Sequence, residues 1–274
     1  HSAYNTRMRW YFEYLWRLFG TALSFAVFGI GGLVYGLLIF PLIFVFNRDR
    51  ESRRVFARRL IGKGFGAFIA LMKAVNVVDI RIEGSEHIND QRRQLIIANH
   101  PTLIDVVILI SLFPQANCVI KEAVTRNPFM RSTVKAADYI SNSEPEELLE
   151  SCVGYLGNGK SLLLFPEGTR TRHQEPIDFK AGAATVAART EVDILPIAIE
   201  CEPLYLSKQL PWHYVPRTVP TFTIRVLPPR RATDLVPAEA DERQYRHALN
   251  DALLDLIQSE LADMEFSRKP NYNA

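Results

Sequence analysis

In the stretch IIANHPTLIDVVIL, Ile96 to Leu109, His100 and Asp105 stand five residues apart among apolar side chains. A polar group in such surroundings is costly unless it is hydrogen-bonded. The two residues therefore either satisfy each other structurally or form a general base and its orienting carboxylate. His100 follows the run QLIIA, which has the character of a buried strand, and Pro101 suits the first turn of a helix. This puts His100 at the C-terminal end of a strand, where ligand sites in α/β sheets open. Asp105, about one helical turn later, can reach back to the imidazole, fix its tautomer and stabilise the imidazolium. Taken alone, the pair suits a structural hydrogen bond as well as it suits a dyad.

A second polar turn ends another strand-like run, LLLFPEGTRTR, Leu162 to Arg172. Glu167, Gly168, Thr169, Arg170 and Arg172 crowd its end. An arginine there can grip phosphate or carboxylate with two parallel hydrogen bonds, and Gly168 lets the backbone approach a ligand closely. An ion pair between Glu167 and Arg170 is the plainer reading, but it leaves unexplained why two strand ends carry such groups. His87, His173, His213 and His247 are scattered, without metal-ligand spacing. Gly154 to Ser161 matches the phosphate-loop pattern GxxxxGKS, yet a helix-like stretch precedes it and a strand-like one follows. A working phosphate loop needs the reverse order, so nucleotide hydrolysis is not expected.

The elements that must hold these groups follow from periodicity. From about Asp79, short apolar runs (DIRIEG, QLIIAN, NCVIKE, SLLLFPEG, DILPIAIE and TFTIRVLPP) alternate with helical candidates at 101–112, 128–137, 146–156 and 181–189. That alternation predicts an α/β domain, a central mixed sheet flanked by helices, over 79–274. A C-terminal amphipathic helix is expected from Tyr245, Leu249, Leu253 and Ile257. The Pro-rich segment 202–220 reads as a long loop near the sheet edge, with Tyr205, Trp212 and Tyr214 in packing roles.

Residues 1–78 form a different region, a membrane-associating helical segment. Gly20 to Phe46 contains no charged residue, and about 20 apolar residues suffice to cross a bilayer core. Pro41 breaks or kinks the run, which admits either a single span or a hairpin dipping into one leaflet. Aromatic and basic side chains flank it (Arg7, Arg9, Trp10, Tyr11, Tyr14, Trp16 and Arg17 before, seven cations from Arg48 to Lys63 after), as a headgroup layer accommodates. Anionic lipid is the better partner for that run than nucleic acid. The larger positive flank follows the segment, which predicts a cytoplasmic-membrane protein whose catalytic domain faces the cytoplasm. Gly32 and Gly36 hint at close helix packing. The chain starts at His1 without methionine, as a trimmed chain would. Cys118, Cys152 and Cys201 form no CxxC and leave one unpaired, which favours a reducing compartment.

NHPTLID and FPEGTRT, in this order and separation, closely resemble motifs of the lysophospholipid acyltransferase superfamily, the group of bacterial 1-acylglycerol-3-phosphate acyltransferases. The resemblance runs from about Asp79 to about Glu200 and takes in VIKEAVTRNPFMRSTVKAADYISN and DILPIAI. It implies a glycerolphosphate acyltransferase-like fold and transfer of an acyl group from coenzyme A or acyl carrier protein to a lysolipid hydroxyl, with no resident cofactor or metal. His100 would be the base and Asp105 its orienting acid. Glu167, Gly168, Thr169 and Arg170 would contact the acceptor, Arg170 holding its phosphate, with Lys121 as a second cation. One departure stands out: Asn142 occupies the place where the family usually has an arginine for that phosphate. A neutral amide does not replace a guanidinium there. Arg126, Arg131 and Lys135 are the nearby cations that could compensate; otherwise the acceptor is a different hydroxyl-bearing lipid, or the protein binds lipid without catalysis.

Overall fold

The computed structural model describes residues 2–142, 144–172, 175–237 and 241–268. The side chains of residues 2–10 and of Asn142 lie outside the described set, so the expectations for Arg7, Arg9 and Trp10 fall there, as does His173.

The apolar run is one long helix with a fault in it. Helix α1 (Ser2–Val34) passes through a π-helical turn at Tyr35–Ile39 into α2 (Phe40–Phe46). Proline lacks a backbone N–H and its ring crowds the carbonyl four residues earlier; the wider turn before Pro41 accommodates both without ending the helix. Of the two courses that Pro41 left open, the chain takes a hairpin, and its turn lies beyond the proline at Asn47–Asp49. Asp49 caps α3 (Arg50–Ala74) by accepting the Ser52 N–H at 2.7 Å, and α3 returns antiparallel along α1. Phe28 meets Phe65 and Phe68 at ring-centroid distances of 5.8 and 4.8 Å. Gly32 lets α1 press on the next layer, since a Cβ there would lie 2.5 Å from the Phe129 carbonyl oxygen. Buried Arg58 anchors α3 below. It donates to the carbonyls of Ala137 (2.7 Å), Asp138 and Gln115 and to the Tyr155 hydroxyl.

The rest is the expected mixed sheet. Strands β1 (Asp79–Glu83), β2 (Gln94–Ala98), β3 (Asn117–Lys121), β4 (Ile140–Asn142), β5 (Leu162–Leu164), β6 (Asp193–Glu202) and β7 (Thr221–Val226) lie in the order β1-β7-β6-β2-β5-β3-β4. Only β6 and β7 pair antiparallel. Both faces are covered, as parallel strands require. In β2, Ile96 and Ala98 point into one core, shared with α3 and α4 (Asp105–Leu112). Leu95 and Ile97 point into the other, shared with α7 (Pro145–Gly157), α8 (Gly182–Thr190) and the C-terminal helix Glu242–Arg268. A period of two along the strand assigns each residue its face.

Three details depart from the sequence expectations. The helix after His100 begins at Asp105, because residues 101–104 form a turn tied to the 203–217 segment (Leu103 N–H to Leu206 O, 2.9 Å). That segment does not sit at a sheet edge. It joins β6 to β7 and crosses the strand ends, and Tyr205 within it is fully buried. The candidate at 128–137 starts later, as α6 (Arg131–Ala137), and a short helix that the sequence did not suggest, α5 (Glu122–Arg126), precedes it. The phosphate-loop match behaves as expected, with α7 before it and strand β5 after it.

Candidate active site

His100 leaves the end of β2 and Phe165 the end of the neighbouring β5, so the imidazole stacks on the phenyl ring with centroids 4.4 Å apart. Its Nδ1 lies 2.9 Å from Asp105 Oδ2. Asp105 is 0% exposed and takes two further bonds, from Thr102 N–H (2.6 Å) to Oδ2 and from Thr102 Oγ1 (2.5 Å) to Oδ1. A carboxylate so held accepts the Nδ1 proton, which leaves Nε2 as the basic nitrogen. The His100 side chain keeps 18% of its surface exposed and lines a cleft of about 430 Å³. The structure thus joins the two residues that the sequence paired.

Glu167 stands elsewhere than expected. It is 5% exposed and accepts the His100 backbone N–H at Oε1 (2.7 Å), tying the two strand-end turns together. No ion pair with Arg170 forms. Burial pushes its carboxyl up to about 7, with the charge of Asp105 adding and the backbone N–H groups of His100 and Thr171 opposing. Gly168 adopts φ +66°, and a Cβ there would sit 3.0 Å from Lys180 Nζ. A left-handed glycine is what that close approach requires.

Lys121, Gly168, Thr169 and Arg170 line the cleft, as does a residue the sequence did not single out, Lys208. Lys208 Nζ lies 3.4 Å from Thr169 Oγ1, and Arg170 donates to Leu206 O at 3.3 Å. Desolvation holds the Lys121 ammonium below its ordinary value; Lys208, Lys180 and Arg170 press the same way. Among the described residues no carboxylate pairs with any of these four cations, so an anion entering the cleft would relieve their mutual repulsion. Arg126, Arg131 and Lys135 do not line it. Arg126 pairs with Glu122 at 2.8 Å. Asn142 ends β4 in register with Lys121; Lys180 and Lys208 follow the second strand-end turn and β6. No local motif marks Lys208; long-range folding places it. The inner wall is apolar, with Leu103, Val106, Ile120 and Val124.

Residues 79–200 match the family described as Acyltransferase. The chain is 31% identical over 127 residues to the 1-acyl-sn-glycerol-3-phosphate acyltransferase of Cocos nucifera, covering 44% of this chain and 41% of that protein. The protein of the same description from Limnanthes douglasii is 26% identical over 241 residues, 84% of this chain and 80% of that one. The Helicobacter pylori counterpart is 28% identical over 174 residues, 61% and 68%. The match thus spans about two fifths of the length of the first of these relatives. Among solved structures, the 1-acyl-sn-glycerophosphate acyltransferase PlsC from Thermotoga maritima superposes with a TM-score of 0.66 at 20% identity, over 89% of this chain and 96% of that one. At that identity the likeness establishes a common fold.

Proposed function

We propose, from the premise that residues 79–200 match the Acyltransferase family, that the chain moves a fatty acyl group from a thioester to the free hydroxyl of 1-acylglycerol-3-phosphate. The observation that carries this reading is a buried, fully bonded Asp105 behind His100, at the mouth of a cleft lined by Lys121, Arg170 and Lys208 with Lys180 beside Gly168, none of them ion-paired among the described residues. The acceptor phosphate would rest on Arg170, Lys121, Lys180 and Lys208, which orients its hydroxyl towards His100. His100 Nε2 removes the hydroxyl proton as the oxygen attacks the thioester carbonyl; Asp105 stabilises the imidazolium, which then returns the proton to the leaving thiolate. The apolar wall suits an acyl chain. Coenzyme A or acyl carrier protein would supply the thioester as substrate, with no resident cofactor. The relatives' printed descriptions support phosphate-bearing glycerolipid as acceptor.

The domain would work against a lipid surface on the cytoplasmic face of the inner membrane. Tyr11–Phe46 is the one helix among the described residues long and apolar enough to cross a bilayer. Yet one face of it packs along the domain through Arg17, Thr21, Ser24 and Phe40, while Phe19, Val27, Ile30, Leu37 and Val45 are exposed. A helix with one face held to its own domain, at Arg17–Ser24 and again at Phe40, is better suited to lie in one leaflet than to span two.

The test is acyl transfer by the detergent-solubilised full chain from labelled acyl-CoA or acyl carrier protein to a panel of lysolipids, with His100→Ala as control. Labelled phosphatidic acid from the wild type alone is expected. Transfer confined to acceptors without a phosphate monoester would overturn the acceptor assignment, and transfer unaffected by His100→Ala would overturn the mechanism.

A further inference from the structure

A second cleft, of about 190 Å³, opens at the tip of the N-terminal hairpin. Its floor is apolar, made by Phe40, Ile43 and Phe44 of α2; its walls carry Arg50, Arg53 and Arg54 of α3 and Lys135. Arg50 and Arg54 share Asp138 at 3.4 and 3.5 Å. Arg53 and Lys135 form no ion pair among the described residues; Arg53 faces Asp49 only through charge, and its guanidinium lies 4.6 Å over the Phe44 ring. Arg54 also pairs with Glu51, outside the lining, so Arg53 and Lys135 are the two lining cations without an ion pair among the described residues.

This cleft is remote from His100 in the topology. Asp138 precedes β4, and β4 runs parallel to β3 and β2, whose far ends carry Lys121 and His100. It therefore lies at the opposite rim of the sheet. Beside it Leu42, Phe44, Val45 and Phe46 are between 53% and 83% exposed. A bare anion would be satisfied by the cations alone. An apolar floor continuous with an exposed apolar row suits a molecule that is anionic at one end and hydrocarbon at the other.

We propose that the hairpin-tip cleft binds the headgroup of an anionic phospholipid, its phosphodiester between Arg53 and Lys135 and its chains along the exposed row of α2. The site is separate from the acceptor site and independent of the transferase reading.

The experiment measures binding of the full chain to phosphatidylcholine vesicles with and without phosphatidylglycerol, comparing wild type with Arg53→Glu, Lys135→Glu and the milder Arg53→Gln and Lys135→Ala. Arg59→Glu is the matched control, an exposed cation on the same helix outside the cleft. The preference for phosphatidylglycerol is expected to fall about tenfold in the two cleft reversals and several-fold in the milder pair, and less than about threefold in the control. Thermal midpoints and acyl transfer in uncharged detergent micelles are expected to stay at wild-type values. An equal loss in Arg59→Glu would mean diffuse attraction and overturn the site. So would wild-type preference in the cleft variants, or displacement of short-chain phosphatidylglycerol by inorganic phosphate at equal concentration, which would mark a site for a free anion.

Discussion

Asp105 has its oxygens fully engaged, two bonds to Thr102 and one to His100. Replacing it by Asn offers an amide where the ring needs an acceptor and favours the wrong imidazole tautomer. For Asp105→Asn we expect kcat to fall by roughly 10²–10⁴-fold with KM for the acceptor little changed, measured under saturating thioester. Glu167 yields a prediction of a different sort. Its carboxyl sits near 7 in the folded chain, pushed up from an ordinary value of 4.5. Between those two pH values the folded protein holds a proton that the unfolded chain has released. Stability therefore falls as pH rises through that window, and the full cost remains above it. Glu167→Gln keeps an oxygen for the His100 N–H and removes the titration. Its thermal midpoint relative to wild type should climb from pH 5 to pH 8; a constant difference would contradict the burial argument. The sequence offered His100 and Asp105 as partners, structural or catalytic, because both are costly without one, and it tied Glu167 to them only through the resemblance. It could not show that Glu167 faces the backbone behind His100 and not the cleft, since side-chain direction at a turn depends on what packs there.

The strands and helices were legible wherever one period governed them: β2 through its unbroken apolar run, β7 through Phe222, Ile224 and Val226, α7 and α8 through their spacing. The 203–217 segment was not, since nothing local disposes it. Its form comes from distant partners. The Tyr205 hydroxyl bonds Thr21 Oγ1 at 2.7 Å, Arg17 donates to Arg217 O at 2.6 Å, and Leu206, at φ +54°, offers its carbonyl to both Leu103 and Arg170. A non-glycine residue held in the left-handed region implies that its surroundings dictate the conformation. The segment carries Lys208, so its hold on α1 bears on the acceptor. Tyr205→Phe removes one buried hydrogen bond, worth about 1 kcal/mol. The expected result is an acceptor KM raised several-fold while KM for the thioester donor stays put. A rise in both would mean general loosening and not a displaced Lys208.

At the scale of the whole molecule, the apolar helix and the sheet lie side by side, with the strand-end site near one end of the hairpin and its turn at the other. Labels at Phe19, Ile30, Leu38 and Val45, all on the exposed face, distinguish the two ways of meeting a bilayer. Lying in one leaflet, all four report a similar depth by collisional quenching; spanning, they trace a gradient from one surface through the centre. A common depth is expected. The sequence left this open because length and hydropathy are the same in both cases; the expectation of a common depth rests on the side of the helix that the domain occupies. That side carries Arg17 and Thr21, both buried and bonded to the 203–217 segment, ties that a helix whose sole task is residence in lipid does not need. They make the first helix part of the machine and not a tether for it. Exchanging it for an unrelated hydrophobic segment would return the protein to its membrane yet leave the Lys208 loop without its handhold.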